Sequence, residues 1–545
     1  MKIKSILSKQ TTLILILTIS FATLFLPLTS LQAATISNGM EASNVIGQSD
    51  FTSNTALMDQ SHIIVPTAIA YDTVNDILFA AGLIFDDEDN DAFRIVTYDL
   101  SSGITDGVNA TNVIGQANFT AAVTGTTAGT FSTLISDVEY DSVNERLFVS
   151  DYFNSRVLVF DLSGGITNGM SATYVLGQAN LTTLDVPGSN LATSTVGFPD
   201  SLAYDSLNDM LFVGDTFYER VVAFDLSGGI TNNMDASYVI DDTDFNTPVA
   251  GLTQSAFQNP KGLEYDSQNK YLYVASDLQN RTLVYDFSGG VSNGMSASYV
   301  LGQADFTSNT ATVSASGLSG PSDIAYDHSS LTLFISDSSN NRVLGYDISG
   351  GITNGMEASN VLGQSDFLSN STGLTSRTLN EQGKMVFDPT SGSLLVADTS
   401  NYRALIFDLS ATVSSSSENG RGYIHPPLCE ATITPNTITA GEETTLSWNT
   451  NWPTENQNTY YSKVPGEGLF SSKVNSISIQ PEHTTTYRLA TFNLWGANFC
   501  EATVEVLDEN GEEVTSNNNS RLTAGVSNSP IVRAVTSWFA GLFVR

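Results

Sequence analysis

Six times along the chain an apolar run closes on an aromatic-aspartate pair: Tyr71-Asp72, Tyr140-Asp141, Tyr204-Asp205, Tyr265-Asp266, Tyr326-Asp327 and Phe387-Asp388. The intervals between these positions are 69, 64, 61, 61 and 61 residues. A unit of this length cannot bury its own apolar face, so the copies must pack on one another. Each reads as three strands: one ending at the pair, a second such as Leu147-Phe148-Val149, and a third of the type "RVLVFDLS". Their apolar residues are nearly continuous, as expected of strands buried on both faces. A fourth strand, "V-[IL]-G-Q" or its relic, starts at Val45, Val113, Val175, Val239, Val300 and Val361. It follows Asn-Gly pairs such as Asn168-Gly169, a dipeptide suited to a turn with positive φ at both central residues.

The two series are offset. The sixth unit, ending "RALIFDLSATV", has no fourth strand after it, while "GMEASNVIGQSDF" (39–51) precedes the first unit and repeats "GMEASNVLGQSDF" (355–367) with one change. Six three-strand sets and six fourth strands match if the array closes into a ring, the first strand completing the last blade beside Arg403–Leu409. Closure leaves no unpaired terminal edge, whereas an open stack would leave an orphan at each end. The expected fold is all-β: a six-bladed β-propeller over residues 35–411.

The words "[VI]-x-D-x-x-N-x-R", "P-x-x-[IL]-A-Y-D" and "V-[IL]-G-Q-x-[DN]-F" resemble the NHL-repeat propellers, especially bacterial secreted ones, over roughly residues 39–410. The resemblance implies the propeller fold; for function it is compatible with binding scaffolds, lyases and lactone hydrolases.

The turn aspartates Asp151, Asp215, Asp277, Asp337 and Asp398, with Arg156, Arg220, Arg281, Arg342 and Arg403, recur once per unit and are read as turn-holding residues. Chemistry is sought instead where units differ. First strands line the channel of a propeller, and in register the pairs after the usual proline are Thr67-Ala68, Ser136-Asp137, Asp200-Ser201, Lys261-Gly262, Ser322-Asp323 and Gly383-Lys384. Asp137, Asp200, Asp323, Lys261 and Lys384 are therefore the candidate ligand-binding residues of the channel mouth. Asp137, Asp200 and Asp323 are the candidate metal ligands, for which Ca²⁺ suits the oxygen donors; alternatively the two lysines simply neutralise them. "FDDEDND" spaces Asp87, Asp89 and Asp91 like the start of an EF-hand loop, but Ala92 and Tyr98 stand where Gly and Glu belong, so a solvated loop is expected. In "VIDDTDF", Asp241-Asp242 replace the Gly-Gln of the fourth strand, by repeat decay or as a local Ca²⁺ site. His62 and His328 are the propeller's two histidines, too few for a three-histidine zinc centre. No G-x-S-x-G elbow occurs.

Outside the ring, "MKIKSILSK" followed by an apolar run and "LQAA" is a secretory signal peptide (1–34). "SSSSENGRG" marks a linker (412–424). Residues 425–510 alternate as strands and resemble an immunoglobulin-like β-sandwich, with Trp448 in its core. Cys429 and Cys500, the two cysteines of the chain, would join its first and last strands in an oxidising compartment. Residues 511–529 read as a disordered linker. Residues 530–545 form an amphipathic tail too short to span a bilayer and suited to envelope association. The chain carries 57 acidic against 21 basic residues, net −36, which repels phosphate backbones and excludes nucleic acid as the natural partner. The sequence thus points to a secreted or cell-surface binding scaffold for an extracellular protein or glycan. The alternative is a divalent-cation-dependent hydrolase or lyase of lactonase-like type, using the channel-mouth carboxylates.

Overall fold

The computed structural model describes residues 36–85, 91–185, 188, 192–245, 251–410, 430–435, 437–449, 461–464, 468–471, 476–481, 483–493 and 496–508. The leader, the 412–424 linker, the 511–529 segment and the C-terminal tail lie outside them. The chain divides into two units, residues 1–413 and 414–545.

The first unit is six four-stranded antiparallel sheets. Blade 1 contains β2 (Ile64–Asp72), β3 (Ile77–Phe85), β4 (Asp91–Asp99) and β5 (Asn112–Ile114). Blade 2 contains β6 (Ile135–Asp141), β7 (Arg146–Asp151), β8 (Arg156–Asp161) and β9 (Tyr174–Leu176), and blade 3 β10 (Pro199–Asp205), β11 (Met210–Asp215), β12 (Arg220–Asp225) and β13 (Tyr238–Val239). Blade 4 contains β14 (Pro260–Asp266), β15 (Tyr271–Ser276), β16 (Arg281–Asp286) and β17 (Tyr299–Leu301), and blade 5 β18 (Pro321–Asp327), β19 (Thr332–Asp337), β20 (Arg342–Asp347) and β21 (Asn360–Leu362). Blade 6 is β22 (Met385–Asp388), β23 (Ser393–Asp398) and β24 (Arg403–Asp408), completed by β1 (Asn44–Ile46). The register of closure is Asn44↔Ile406, Val45↔Leu405 and Ile46↔Ala404, so the ring shuts as the offset of the two series requires. Middle strands such as β11 and β19 are buried at every position, which explains their unbroken apolar runs.

The Asn-Gly pairs do a different job from the one their dipeptide suggests. Gly169 has φ 69° but Asn168 is not in the left-handed region. Instead, Asn168 Oδ1 accepts the N–H of Val113 in the preceding blade's outer strand (3.0 Å). Asn232, Asn293 and Asn354 repeat this latch on Val175, Val239 and Val300. Asn38 makes it on Val361 (3.1 Å), and Asp106 substitutes on Val45 (3.0 Å). The N-terminal segment therefore closes the ring twice, through its strand and through its latch.

The second unit, taken by itself, is a three-stranded sheet of β25 (Glu430–Thr434), β27 (Thr444–Asn449) and β30 (Ser476–Ile479) and a five-stranded one. The latter runs β26 (Thr437–Thr439), β32 (Gly496–Leu507), β31 (Thr485–Asn493), β28 (Tyr461–Val464) and β29 (Gly468–Ser471). Ile433, Leu446 and Ile479 from the first sheet and Ile438, Val504 and Val506 from the second are buried. Cys500 lies on β32; Cys429 and the side chain of Trp448 fall outside what is described.

Candidate functional site

The blade turns come first, because they fix the ends of the inner strands. In blade 5 Asp337 ends β19: its Oδ1 accepts the Ser319 N–H (2.6 Å), and its Oδ2 accepts from Asn340 (2.8 Å) and Arg342 Nε (2.7 Å). Asp151–Arg156 and Asp398–Arg403 repeat this pair at 2.7 Å, and all five turn arginines are fully buried. The guanidinium forks spend their remaining donors on loop carbonyls, so the ion pair is stapled to main chain on every side. Blade 4 corrects the sequence register. Ser276, not Asp277, sits opposite Arg281, whose Nε bonds Gln279 instead (2.9 Å), while Asp277 accepts from Asn259 (2.9 Å). Lacking a carboxylate partner, buried Arg281 is pushed down to about 10 by desolvation.

Lys384, one residue before β22, reaches across the channel. Its ammonium is 3.1 Å from Asp137 Oδ2 of blade 2 and 3.5 Å from Asp323 Oδ1 of blade 5, and it donates to the Lys261 carbonyl of blade 4. Asp137 also accepts main-chain N–H groups of Val138 and Leu202 (both 2.8 Å), and Asp323 that of Met385 (2.6 Å). All three side chains are at most 8% exposed. Burial raises both carboxyls, Asp323 to about 7, with Lys384 opposing the shift. Burial alone would lower Lys384, but Asp137, Asp323 and Asp200 outweigh it and leave the ammonium held above its usual value. The five expected mouth residues thus divide. Asp137, Asp323 and Lys384 form one buried cluster tying three blades together. Asp200 and Lys261 are only partly buried, and Asp200 is pushed up to about 6 by desolvation against the pull of both lysines.

The cation expected on Asp137, Asp200 and Asp323 meets a steric and electrostatic obstacle, since an ammonium already stands against two of them. Among the described residues no three His, Cys, Asp or Glu side chains are grouped so as to hold a metal. Asp87 and Asp89 lie outside the described residues, and Asp91 opens β4 as an exposed residue opposite Phe85.

Two channel residues were missed. A cavity of about 160 Å³ is lined by Asp137, Glu139, Glu264, Asp323 and the Tyr71, Tyr140 and Tyr326 ends of the inner strands. Glu139 and Glu264 are held well above the usual carboxyl range, first by desolvation and then by each other's neighbouring carboxylates. The signal lay one step along the same register. The position before the aromatic-aspartate pair reads Ala70, Glu139, Ala203, Glu264, Ala325 and Val386.

At the opposite, turn-bearing end, blades 2 and 3 carry an aromatic sector. Tyr152 stacks on Phe198 (5.1 Å, 16°), and Phe217 and Phe153 stand edge-on to Phe198 at 5.4 and 6.1 Å. Phe153 and Phe217 are nearly half exposed, at 48% and 46%. Phe198 is held at φ 55°, as Val65 (46°), Asn259 (54°), Gly320 (60°) and Glu381 (50°) are at the matching place in blades 1, 4, 5 and 6. A bulky residue is poorly tolerated in that region. Tyr218 takes the place of the turn asparagine. It lies over Arg220 (5.0 Å) and bonds the Gly188 carbonyl (3.0 Å), and without the amide Asp215 is pushed up by burial to about 6. Gly197 makes room for this packing: a Cβ there would come within 2.9 Å of both Phe217 and Tyr218.

No family model matches this chain, and no curated protein matches it. Among solved structures it is similar to an auxiliary nutrient binding protein from Bacteroides thetaiotaomicron VPI-5482, at 12% identity over 66% of this chain and 75% of that one, TM-score 0.40. The corresponding protein from Bacteroides ovatus ATCC 8483 gives 12%, 64%, 69% and 0.38. The β-propeller domain of Myceliophteria thermophila Cps50 (Swd1) gives 12%, 65%, 99% and 0.37. These are likenesses of overall fold and carry nothing about ligand or reaction. No helix among the described residues is long and apolar enough to cross a membrane.

Proposed function

We propose that this protein is a secreted or surface-attached, NHL-like binding scaffold, whose propeller offers the aromatic sector of blades 2 and 3 to an extracellular protein or glycan. The observation that carries the reading is the exposed ring cluster around Phe198, on which Tyr152 stacks at 5.1 Å and 16°. Two half-exposed phenylalanines flank it, and flat apolar rings suit sugar faces and apolar side chains alike. The leader supports export. The downstream strand module, with the proposed Cys429–Cys500 bond, serves as a spacer, and the C-terminal tail supports association with the envelope.

The channel cluster speaks for binding over catalysis. Lys384 has three acceptors for its three N–H groups, and both carboxylates are further spent on main-chain donors. Groups so committed make poor nucleophiles or bases. The hydrolase or lyase reading draws its support instead from Glu139 and Glu264, whose raised carboxyls face the cavity as a general acid would.

The test is capture of extracellular proteins and arrayed glycans by the full secreted chain, wild type against Phe198→Asn and against Glu139→Gln/Glu264→Gln. A ligand bound by wild type and the glutamine variant but lost from Phe198→Asn supports the aromatic site. A ligand kept by Phe198→Asn refutes it, and turnover of lactone or ester substrates that vanishes in the glutamine variant establishes the enzyme reading.

A further inference from the structure

In blades 2 to 6 four residues separate the end of the second strand from the buried turn arginine, and the second of the four is Phe153, Phe217, Leu278, Ser339 and Ser400. Blades 2, 3 and 4 thus carry an apolar side chain at one shared position, 48%, 46% and 61% exposed. The turn does not require it. Leu278, Ser339 and Ser400 sit in short 3-10 turns of the same form, each closed by a left-handed residue at φ 52°, 52° and 57°. Single exposed apolar residues are ordinary on a protein surface. Three at the same register of neighbouring blades form an arc that carries the aromatic sector past its rings to an aliphatic side chain.

The arc is edged with acid. Burial first, and the Asp200 charge after it, raise the Tyr152 hydroxyl, so that carboxylate is felt at the ring stack. Asp200 in turn feels Asp277, which immediately precedes Leu278 and accepts from the Asn259 amide (2.9 Å). Lys384 and Lys261 oppose the Asp200 shift, but the ammonium of Lys384 is spent on Asp137 and Asp323. The chain as a whole carries −36, which draws a basic partner from a distance and repels an acidic one. A cation already lies over a ring within the sector, Arg220 on Tyr218 at 5.0 Å.

We propose that Phe153, Phe217 and Leu278, with Phe198 and Asp200, form one docking surface for a basic, extended segment of an extracellular protein. The inference rests on the aromatic-sector reading above and narrows its partner from protein or glycan to protein. A sugar ring stacks on flat aromatic faces and gains no such face from Leu278, and a neutral glycan brings no charge to Asp200. A peptide supplies both chemistries: apolar side chains seat on the rings and on Leu278, and a lysine or arginine between them turns to Asp200. Rings and carboxylate together suit an arginine best, since its planar guanidinium stacks and pairs at once.

The experiment is fluorescence anisotropy of the full secreted chain with three labelled probes: a peptide alternating Leu and Arg, its Leu-Glu counterpart, and a neutral oligosaccharide. Wild type is compared with Leu278→Ser, which installs the residue blades 5 and 6 use in this turn, with Asp200→Asn and with Phe198→Asn. Wild type is expected to bind the Leu-Arg peptide alone, more weakly as salt rises, and Leu278→Ser and Asp200→Asn are each expected to weaken it about tenfold. A Leu-Arg peptide held equally by wild type, Leu278→Ser and Asp200→Asn overturns the surface, since it is then attracted by the acidic chain at large. Binding of the Leu-Glu peptide, or of no probe, overturns it as well. Binding of the oligosaccharide alone, lost in Phe198→Asn, overturns the basic partner and leaves the aromatic site standing. A Phe198→Asn variant that keeps whatever wild type binds removes both.

Discussion

In blade 5, Asp337 gathers Ser319, Asn340 and Arg342 around one carboxylate, Gln364 staples Asn341, and the residue before the inner strand is Gly320, at home with φ 60°. In blade 3, Tyr218 stands where the asparagine belongs, Asp241-Asp242 where Gly-Gln belongs, and Phe198 where blade 5 has Gly320. The two blades have the same four strands in the same order. What differs is the set of polar staples. Blade 5 uses every repeated residue to satisfy its own main chain, whereas blade 3 gives up an amide, a staple and a relaxed backbone at one end of one sheet. Departures of this kind gather where something besides folding is being served.

The comparison is open to direct test. Arg342→Ala in blade 5 removes a fully buried partner from Asp337 and three loop carbonyls, and should cost about 3–5 kcal/mol in urea unfolding. Arg281→Ala in blade 4, where no carboxylate is left behind, should cost distinctly less. Equal losses would mean that the ion pair adds nothing to the staple.

Lys384→Met leaves Asp137 and Asp323 buried without their counter-charge and should cost about 3 kcal/mol at neutral pH. The pH dependence has a definite sign. Asp323 titrates at about 7 in the fold against 3.8 ordinarily, so between these values the folded chain holds a proton the unfolded chain has released. The contribution of this group therefore declines as pH rises through that window. In the methionine variant the folded carboxyls move higher still, so denaturant midpoints near pH 5 should lie close to wild type and those above pH 7 well below. A penalty that is flat with pH would sink the cluster as an ion-paired plug.

Tyr218→Asn restores the blade 5 turn and should bring the Asp215 carboxyl down from about 6 toward its neighbours' range, followed by carboxyl NMR. Its stability should stay within about 1 kcal/mol of wild type, a regained hydrogen bond offsetting the lost ring contact with Arg220. The smallest effect belongs to Phe198→Asn, where relief of the left-handed strain offsets lost stacking and the net change in melting should be under about 1 kcal/mol. A large loss there would make Phe198 a structural residue and remove the support it lends to ligand binding.

The ring was legible because it rests on counting: six inner strands, six outer strands and an offset of one, with Val45 pairing Leu405 as that offset demands. The channel was legible in part. Asp137, Asp323 and Lys384 stood in register as departures, but their convergence depends on a lysine long enough to cross the axis. Glu139 and Glu264 were overlooked because the comparison stopped two residues early. Asp277 was misplaced because a one-residue shift in a turn leaves the composition of the motif intact while moving the carboxylate off its arginine.

By itself, then, the chain's order of residues determined blade number, the closing strand, the turn ion pairs and the candidate acidic positions, since periodic apolar runs and once-per-unit residues act locally and repeat. Only the tertiary structure decided that Lys384 plugs the channel between Asp137 and Asp323, that Asn38 latches Val361 across the seam, and that Tyr152, Phe198 and Phe217 meet on one surface. Those contacts join residues from different blades. Their energies depend on distances across the ring, which no local stretch of sequence encodes.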